Sequence, residues 1–198
     1  MLYDAGITHE IASTLKEHYG ATLPPLVVDP VCVSTSGHTL LQPEAVATMV
    51  SELFPLAALI TPNKSEAELL LAYCGSPSKL ERTEDMLSAA KKLLSTGCKA
   101  VLVKGGHLTA NMDEVKNISA AYPDVKVVRE GLFGENMEIL QISEEDASLK
   151  ELVIDVLQEA NATTLFVRPR IESNSTHGTG CTLSSALACA LARGKSCQ

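Results

Sequence analysis

The sequence predicts an α/β protein built on a mainly parallel sheet flanked by helices. Three observations carry that expectation. Leu26-Val27-Val28, Ala57-Ala58-Leu59-Ile60 and Ala100-Val101-Leu102-Val103 are short, continuous apolar runs bounded by turn residues, the pattern of strands covered on both faces. Segments of helical spacing separate them. A glycine-containing loop, Thr176-His177-Gly178-Thr179-Gly180-Cys181, then opens onto Thr182 to Ala192, which is apolar or small all the way round and reads as a buried helix. Strands alternating with helices argue for parallel neighbours in one sheet.

In chain order, Ile11, Ala12 and Leu15 have helical spacing between Thr8 and His18, with Thr8 expected as the cap and Gly20 as the stop. The first strand, Leu26 to Val28, leads into Asp29-Pro30-Val31. After the polar loop Ser34-Thr35-Ser36-Gly37-His38, Pro43 suits the first turn of a helix reaching about Leu53. The second strand ends at Thr61-Pro62-Asn63, and a helix follows from about Ser65 to Tyr73. Another helix is expected from Thr83 to Ser95, with Thr83 as cap and Gly97 as stop. The third strand ends in Lys104-Gly105-Gly106-His107.

Residues 109–162 are less regular. Val125 to Val128 and Met137 to Leu140 predict an antiparallel hairpin around Gly131 and Gly134. Ser143, Glu145 and Asp146 predict the start of an acidic helix ending near Ala160. Thr164 to Val167 predicts one more strand before the glycine loop.

The loop suggests chemistry as well as structure. Backbone N–H groups in a helix's first turn lack internal partners, and the dipole there favours negative charge. Glycines let such a backbone approach a phosphate closely, and a cysteine there has its thiolate favoured. The plainer alternative is a turn into a core helix, with Cys181 an inert thiol. If the three apolar runs are parallel neighbours, Asp29, Asn63 with Glu66, and Lys104 all reach one edge of the sheet. Open α/β sheets bind ligands at the carboxyl ends of their strands. Carboxylates, an amide, an ammonium and a phosphate cradle are the mixture that phosphoryl transfer requires. Each also has a structural counterpart. Asn63-Lys64-Ser65-Glu66 has capping-box spacing, Lys104 can be a solvated strand end, and Asp29 can hydrogen-bond its own turn.

Composition narrows the options. The 198 residues suit one domain, 1–198, and 45% hydrophobic content supplies a core. A net charge of −8 argues against nucleic acid and implies that a phosphorylated ligand needs local positive charge or a metal. Six cysteines without a C-x-x-C pair read as reduced thiols, so a cytoplasmic location is expected. No apolar run is long enough to span a bilayer.

Five motifs occur together and in order: Leu26-Val27-Val28-Asp29-Pro30-Val31; Ser36-Gly37; Leu59-Ile60-Thr61-Pro62-Asn63 through Glu66-Ala67-Glu68; Val103-Lys104-Gly105-Gly106-His107; and Ser175-Thr176-His177-Gly178-Thr179-Gly180-Cys181. This set resembles the hydroxymethylpyrimidine/phosphomethylpyrimidine kinases of thiamine biosynthesis, within the ribokinase-like superfamily. The resemblance implies ATP- and Mg2+-dependent phosphorylation of 4-amino-5-hydroxymethyl-2-methylpyrimidine and then of its monophosphate. It implies that Gly178, Thr179 and Gly180 cradle the transferring phosphate and that Cys181 stands where the family's base belongs. Lys104, Thr176 and Asn63 would serve ATP, Asn63, Glu66 and Asp29 the metal, and Val31 the pyrimidine. The cysteine favours this family over other vitamin kinases of the superfamily, such as pyridoxal kinase, in which aspartate is usual at that point.

The resemblance also implies a family stretch ahead of Met1 and further helix beyond Gln198. The expectation is therefore a fold incomplete at both termini, with weak or lost activity. The alternatives are a nonenzymatic relic or regulatory partner that binds nucleotide or a full-length paralogue, and another ribokinase-like kinase such as a pyridoxal kinase; a homo-oligomer is a further partner expectation.

Overall fold

A computed structural model of the chain describes residues 2–32, 40–106, 108–129, 151–171, 173 and 178–195. Helix α1 spans Ala5–Tyr19. Its cap is Asp4, whose Oδ1 accepts the Ile7 N–H at 2.8 Å, so the helix starts before the expected Thr8. Thr8 is instead buried inside it, with its hydroxyl donating to the Asp4 carbonyl at 3.0 Å. Gly20 ends the helix at φ 50°, as its placement in the sequence implied. Strand β1 is Val27–Val28. Helix α2 runs over Pro43–Thr48, with Pro at its start, and winds on through a π turn at Met49–Leu53 and a 3₁₀ turn at Phe54–Leu56.

Strand β2 is Leu59–Ile60, and helix α3 is Lys64–Tyr73. Helix α4 covers Thr83–Leu94. Thr83 is its first residue and not its cap: the Asp85 carboxylate accepts the N–H groups of Glu81 and Arg82 at 3.1 and 2.9 Å. Strands β3 (Ala100–Val103) and β4 (Thr109–Ala110), helix α5 (Met112–Ala121) and strand β5 (Val125–Arg129) follow. The chain continues through β6 (Leu152–Glu159) and β7 (Thr163–Pro169) to helix α6, Thr179–Ala192.

The strands form one sheet in the order β1-β2-β3-β6-β7-β5, with β4 also against β6. β1, β2 and β3 are parallel, β7 and β5 are parallel, and β6 is antiparallel to β3, β4 and β7. Among the described strands β6 alone runs against the rest, so the mainly parallel sheet stands.

The acidic helix expected to reach Ala160 is corrected in its second half. Residues 152–159 are strand β6. Leu152, Ile154 and Val156 are buried on one face, and β3 and β7 hydrogen-bond its two sides, so tertiary pairing decides this segment. The Glu159 N–H donates to the Ala162 carbonyl at 2.8 Å and closes the β6–β7 hairpin. β5 pairs with β7 in parallel; the expected partner strand at Met137 to Leu140, with Gly131 and Gly134, lies outside the described residues, as does the start of the acidic segment.

Both faces of the sheet are covered, which explains the continuous apolar runs. Val28, Ile60, Val101, Val103, Ile154, Val156 and Leu165 face the larger core with helices α1 to α5. Alternate residues Leu59, Ala100, Leu102 and Leu157 face α6, where Leu183, Leu187 and Leu191 pack on them. Helix α6 is not buried all round. Ser184 is its one fully buried residue, while Ser185, Ala186, Cys189 and Ala192 are exposed. Its outer face is made of small side chains, so little apolar area meets water there. Among the described residues, no helix is long and apolar enough to cross a membrane.

Candidate active site

Parallel pairing delivers the expected strand ends to one edge. Asp29 follows β1, Asn63 follows β2 and Lys104 follows β3. The β2–β3 pairing extends past both strands, through an Asn63–Lys104 bridge and a Lys104 N–H donating to the Pro62 carbonyl at 2.9 Å. Lys104 Nζ donates to Asp29 Oδ1 at 3.0 Å, and each side chain is only 15% exposed. Such a largely buried pair is held by its geometry, and removing either partner would strand the other charge.

The glycine loop reaches the same pair. Gly178 caps α6 at φ 81°, a left-handed conformation that suits glycine. A Cβ on Gly180 would lie 3.2 Å from Lys104 Nζ and 3.8 Å from Asp29 Oδ2. The absence of a side chain there lets the first turn of α6 approach the ion pair. Thr179 and Cys181, on either side of Gly180, are exposed. Thr176 lies outside the described residues.

Two buried hydroxyls tie the loop to the strand ends. Thr61 Oγ1 donates to Asp29 Oδ1 at 2.9 Å and lies 3.1 Å from Ser184 Oγ. Ser184 Oγ in turn donates to the Gly180 carbonyl at 2.9 Å. Each hydroxyl spends its one proton on these bonds, Thr61 on Asp29 and Ser184 on Gly180, so Thr61 and Ser184 meet as a close oxygen–oxygen contact that brings the two hydrogen-bonded pairs together. Nothing in the sequence marked Thr61 or Ser184 as more than a strand-end turn residue and a helix residue. The available signal was Ser184 lying four residues after Gly180, one helical turn on.

Asn63 and Glu66 form the capping box that their spacing allowed. Glu66 N–H donates to Asn63 Oδ1 at 2.9 Å, and Asn63 N–H donates to Glu66 Oε2 at 2.8 Å. The box does not remove Glu66 from the site. Burial, helped by the nearby Asp29, pushes its carboxyl up to about 7 against the opposing Asn63 hydrogen bond and Lys104 charge. Val31 is half-buried and turns back on Asp29, its N–H donating to the Asp29 carbonyl at 2.9 Å. Cys32 lies behind the site. Burial, with Glu66 and Asp29 nearby, pushes its thiol up to about 12, so it stays protonated.

The turn after β3 is held from the neighbouring strand. Gly105 N–H donates to Asp155 Oδ1 at 2.8 Å. Burial raises the Asp155 carboxyl, while the Gly105 bond and the charges of Arg168 and Lys104 oppose that rise. Expecting a helix at this position concealed Asp155. The β-rich run Val153-Ile154-Asp155-Val156 was the signal that could have revealed it.

At this edge the carboxylates Asp29, Glu66 and Asp155 meet the charges of Lys104 and Arg168, a formal surplus of one negative charge once Glu66 is ionised. Among them, no three His, Cys, Asp or Glu side chains converge as a closed metal cage. A helix start opened by glycines against a carboxylate–ammonium pair, at the carboxyl edge of an α/β sheet, is an arrangement that suits an anionic group accompanied by a cation.

The chain belongs to the phosphomethylpyrimidine kinase family, whose model matches residues 1–198. It is 35% identical over 170 residues to a hydroxymethylpyrimidine/phosphomethylpyrimidine kinase of Rhizobium meliloti, covering 85% of this chain and 47% of that protein. The phosphomethylpyrimidine kinase structure from Clostridium difficile superposes with a TM-score of 0.64 at 29% identity, covering 100% of this chain and 60% of that one. An ADP complex of Bacillus subtilis pyridoxal kinase gives 0.66 at 28% identity, covering 99% and 56%. The chain spans about half the length of the curated kinases it matches.

Proposed function

We propose that this edge is the phosphate-handling half of a hydroxymethylpyrimidine/phosphomethylpyrimidine kinase site. Its substrates would be ATP and 4-amino-5-hydroxymethyl-2-methylpyrimidine or the monophosphate. The supporting observation is the approach of Gly180 to Lys104 and Asp29, which puts the helix start, an ammonium and a carboxylate around one point. Gly178, Thr179 and Gly180 present backbone N–H groups to the transferring phosphoryl group. Lys104 neutralises phosphate charge, and the family motif assigns Thr176 to the nucleotide phosphates as well. Cys181 Sγ accepts the proton of the attacking hydroxyl, and the hydroxyl oxygen takes the phosphoryl group as ADP leaves. Val31 would border the pyrimidine.

Mg2+ fits the donor set. Magnesium is commonly held by one or two carboxylates together with substrate phosphates and water, so no closed cage is needed. Asp29 and Glu66 would hold it, and Asn63 keeps Glu66 in place through the capping box. When bound, the ion would add positive charge opposite the phosphates to that of Lys104.

The test is product formation. Purified protein with Mg2+, ATP and either the hydroxymethylpyrimidine or pyridoxal is assayed for the phosphorylated product and for ADP. Binding of ATP–Mg2+, with phosphorylation that is weak and favours the pyrimidine, is the expected result. A preference for pyridoxal would move the chain to the vitamin-kinase reading, which the B. subtilis likeness keeps in view. Failure to bind ATP–Mg2+ would overturn the kinase reading itself.

A further inference from the structure

We infer that Asp155 is a positioning residue for the site: it fixes the Lys104–Gly105 peptide through the Gly105 N–H and so keeps the Lys104 ammonium on Asp29 beside Gly180. The functional meaning of this inference rests on the kinase reading, but its geometry does not.

Asp155 lies in β6, the strand running against its neighbours, where its register partner in β7 is Phe166. Alternation places Asp155 on the same face of β6 as Leu157, which packs toward α6. Lys104 follows Ala100 and Leu102 at strand spacing and so belongs to that face as well. A carboxylate within a sheet is costly unless it is paired. Asp155 meets that need with the Gly105 N–H at 2.8 Å and with the nearby charges of Arg168 and Lys104.

The turn is also held sterically. A Cβ on Gly105 would sit 2.0 Å from the Ile154 carbonyl oxygen, so the peptide lies directly on the backbone of β6. The Leu108 N–H closes the turn by donating to the Gly105 carbonyl at 2.6 Å. Asp155 therefore acts at the point where the chain leaves β3. Moving the 104–105 peptide moves the root of the lysine side chain, whose Nζ would lie 3.2 Å from a Cβ on Gly180.

Two readouts test this without relying on catalysis. One is hydrogen exchange of the Gly105 amide by NMR. The other is acylation of Lys104 by N-hydroxysuccinimide acetate, mapped by mass spectrometry. In Asp155→Ala, Gly105 exchange is expected to accelerate at least ten-fold and Lys104 acylation several-fold. Asp155→Asn retains an acceptor oxygen of the same reach and should return both to within about two-fold of wild type. If the alanine variant does not fold, Asp155→Ser, too short to reach Gly105, takes its place.

ATP–Mg2+ affinity is measured in parallel and should follow the same order, falling about ten-fold in the alanine or serine variant and recovering in the asparagine variant. Unchanged exchange and acylation in the short variants would overturn the inference, as would an asparagine variant no better than they are. If the wild type binds no ATP, the kinase reading fails, while exchange and acylation still decide the role of Asp155.

Discussion

Gly105→Ala is expected to cost about 4 kcal/mol of stability, combining overpacking of about 1–3 kcal/mol with the lost hydrogen bond to a carboxylate, about 1.5–3 kcal/mol. The added Cβ would meet three backbone atoms of Ile154: the oxygen at 2.0 Å, the carbonyl carbon at 2.9 Å and the nitrogen at 3.3 Å. Backbone inside a strand paired on both sides cannot rotate away as a side chain can. Either β6 shifts or the turn lifts, and lifting it breaks the Gly105–Asp155 bond. Gly106→Ala is the control. Its Cβ would meet nothing within 4 Å, although φ +28° imposes some strain. Urea unfolding of both variants should show Gly105→Ala far below Gly106→Ala in midpoint. Equal midpoints would mean that the turn does not rest on β6.

The second large effect is a pH dependence centred on Glu66. Its folded carboxyl titrates near 7, against an ordinary value of 4.5. Between those values the folded protein holds a proton that the unfolded chain has released. Stability due to this group is therefore unaffected below about 4.5, falls as pH rises toward 7, and is flat above. Integrated over the window, the loss is about 3 kcal/mol.

Other groups titrate across the same range, so the clean measurement is a difference. Glu66→Gln keeps an acceptor for the Asn63 N–H but has no charge to bury. Its stability relative to wild type should improve by about 3 kcal/mol between pH 4 and pH 8 in urea unfolding. A difference independent of pH would place the buried charge elsewhere. Added Mg2+ should reduce the wild-type loss at pH 8, because a cation bound to the folded state favours the ionised carboxylate.

Much of this edge is legible in the sequence. The apolar runs ending in Asp29, Asn63 and Lys104 announced parallel strands because burial on both faces leaves no polar alternation. Parallel neighbours necessarily deliver their ends to one edge. The approach of α6 followed from glycines at a helix start. Asp155 stayed hidden because an acidic run before it resembles a helix start, while the sheet pairing that makes 152–159 a strand comes from β3 and β7, distant in sequence. The Thr61–Ser184 link joins residues 123 positions apart, and no local pattern encodes such a contact. Helix α6 misled in another way. Uniformly small and apolar residues promised burial on every side, whereas the fold covers only the leucine face and leaves Ala186 and Cys189 exposed.

Cys181 and Cys189 make the most direct test possible within one molecule. Both thiols are exposed, and both lie on α6. Eight helical residues place them about 12 Å apart along the axis. Alkylation by iodoacetamide is followed at each by mass spectrometry, with and without Mg2+ and the non-hydrolysable ATP analogue AMP-PCP. If the turn beside Lys104 and Asp29 receives the terminal phosphate, saturating analogue slows Cys181 at least ten-fold and leaves Cys189 unchanged. Equal reactivity of Cys181 with and without bound nucleotide, or equal slowing of both thiols, would contradict it.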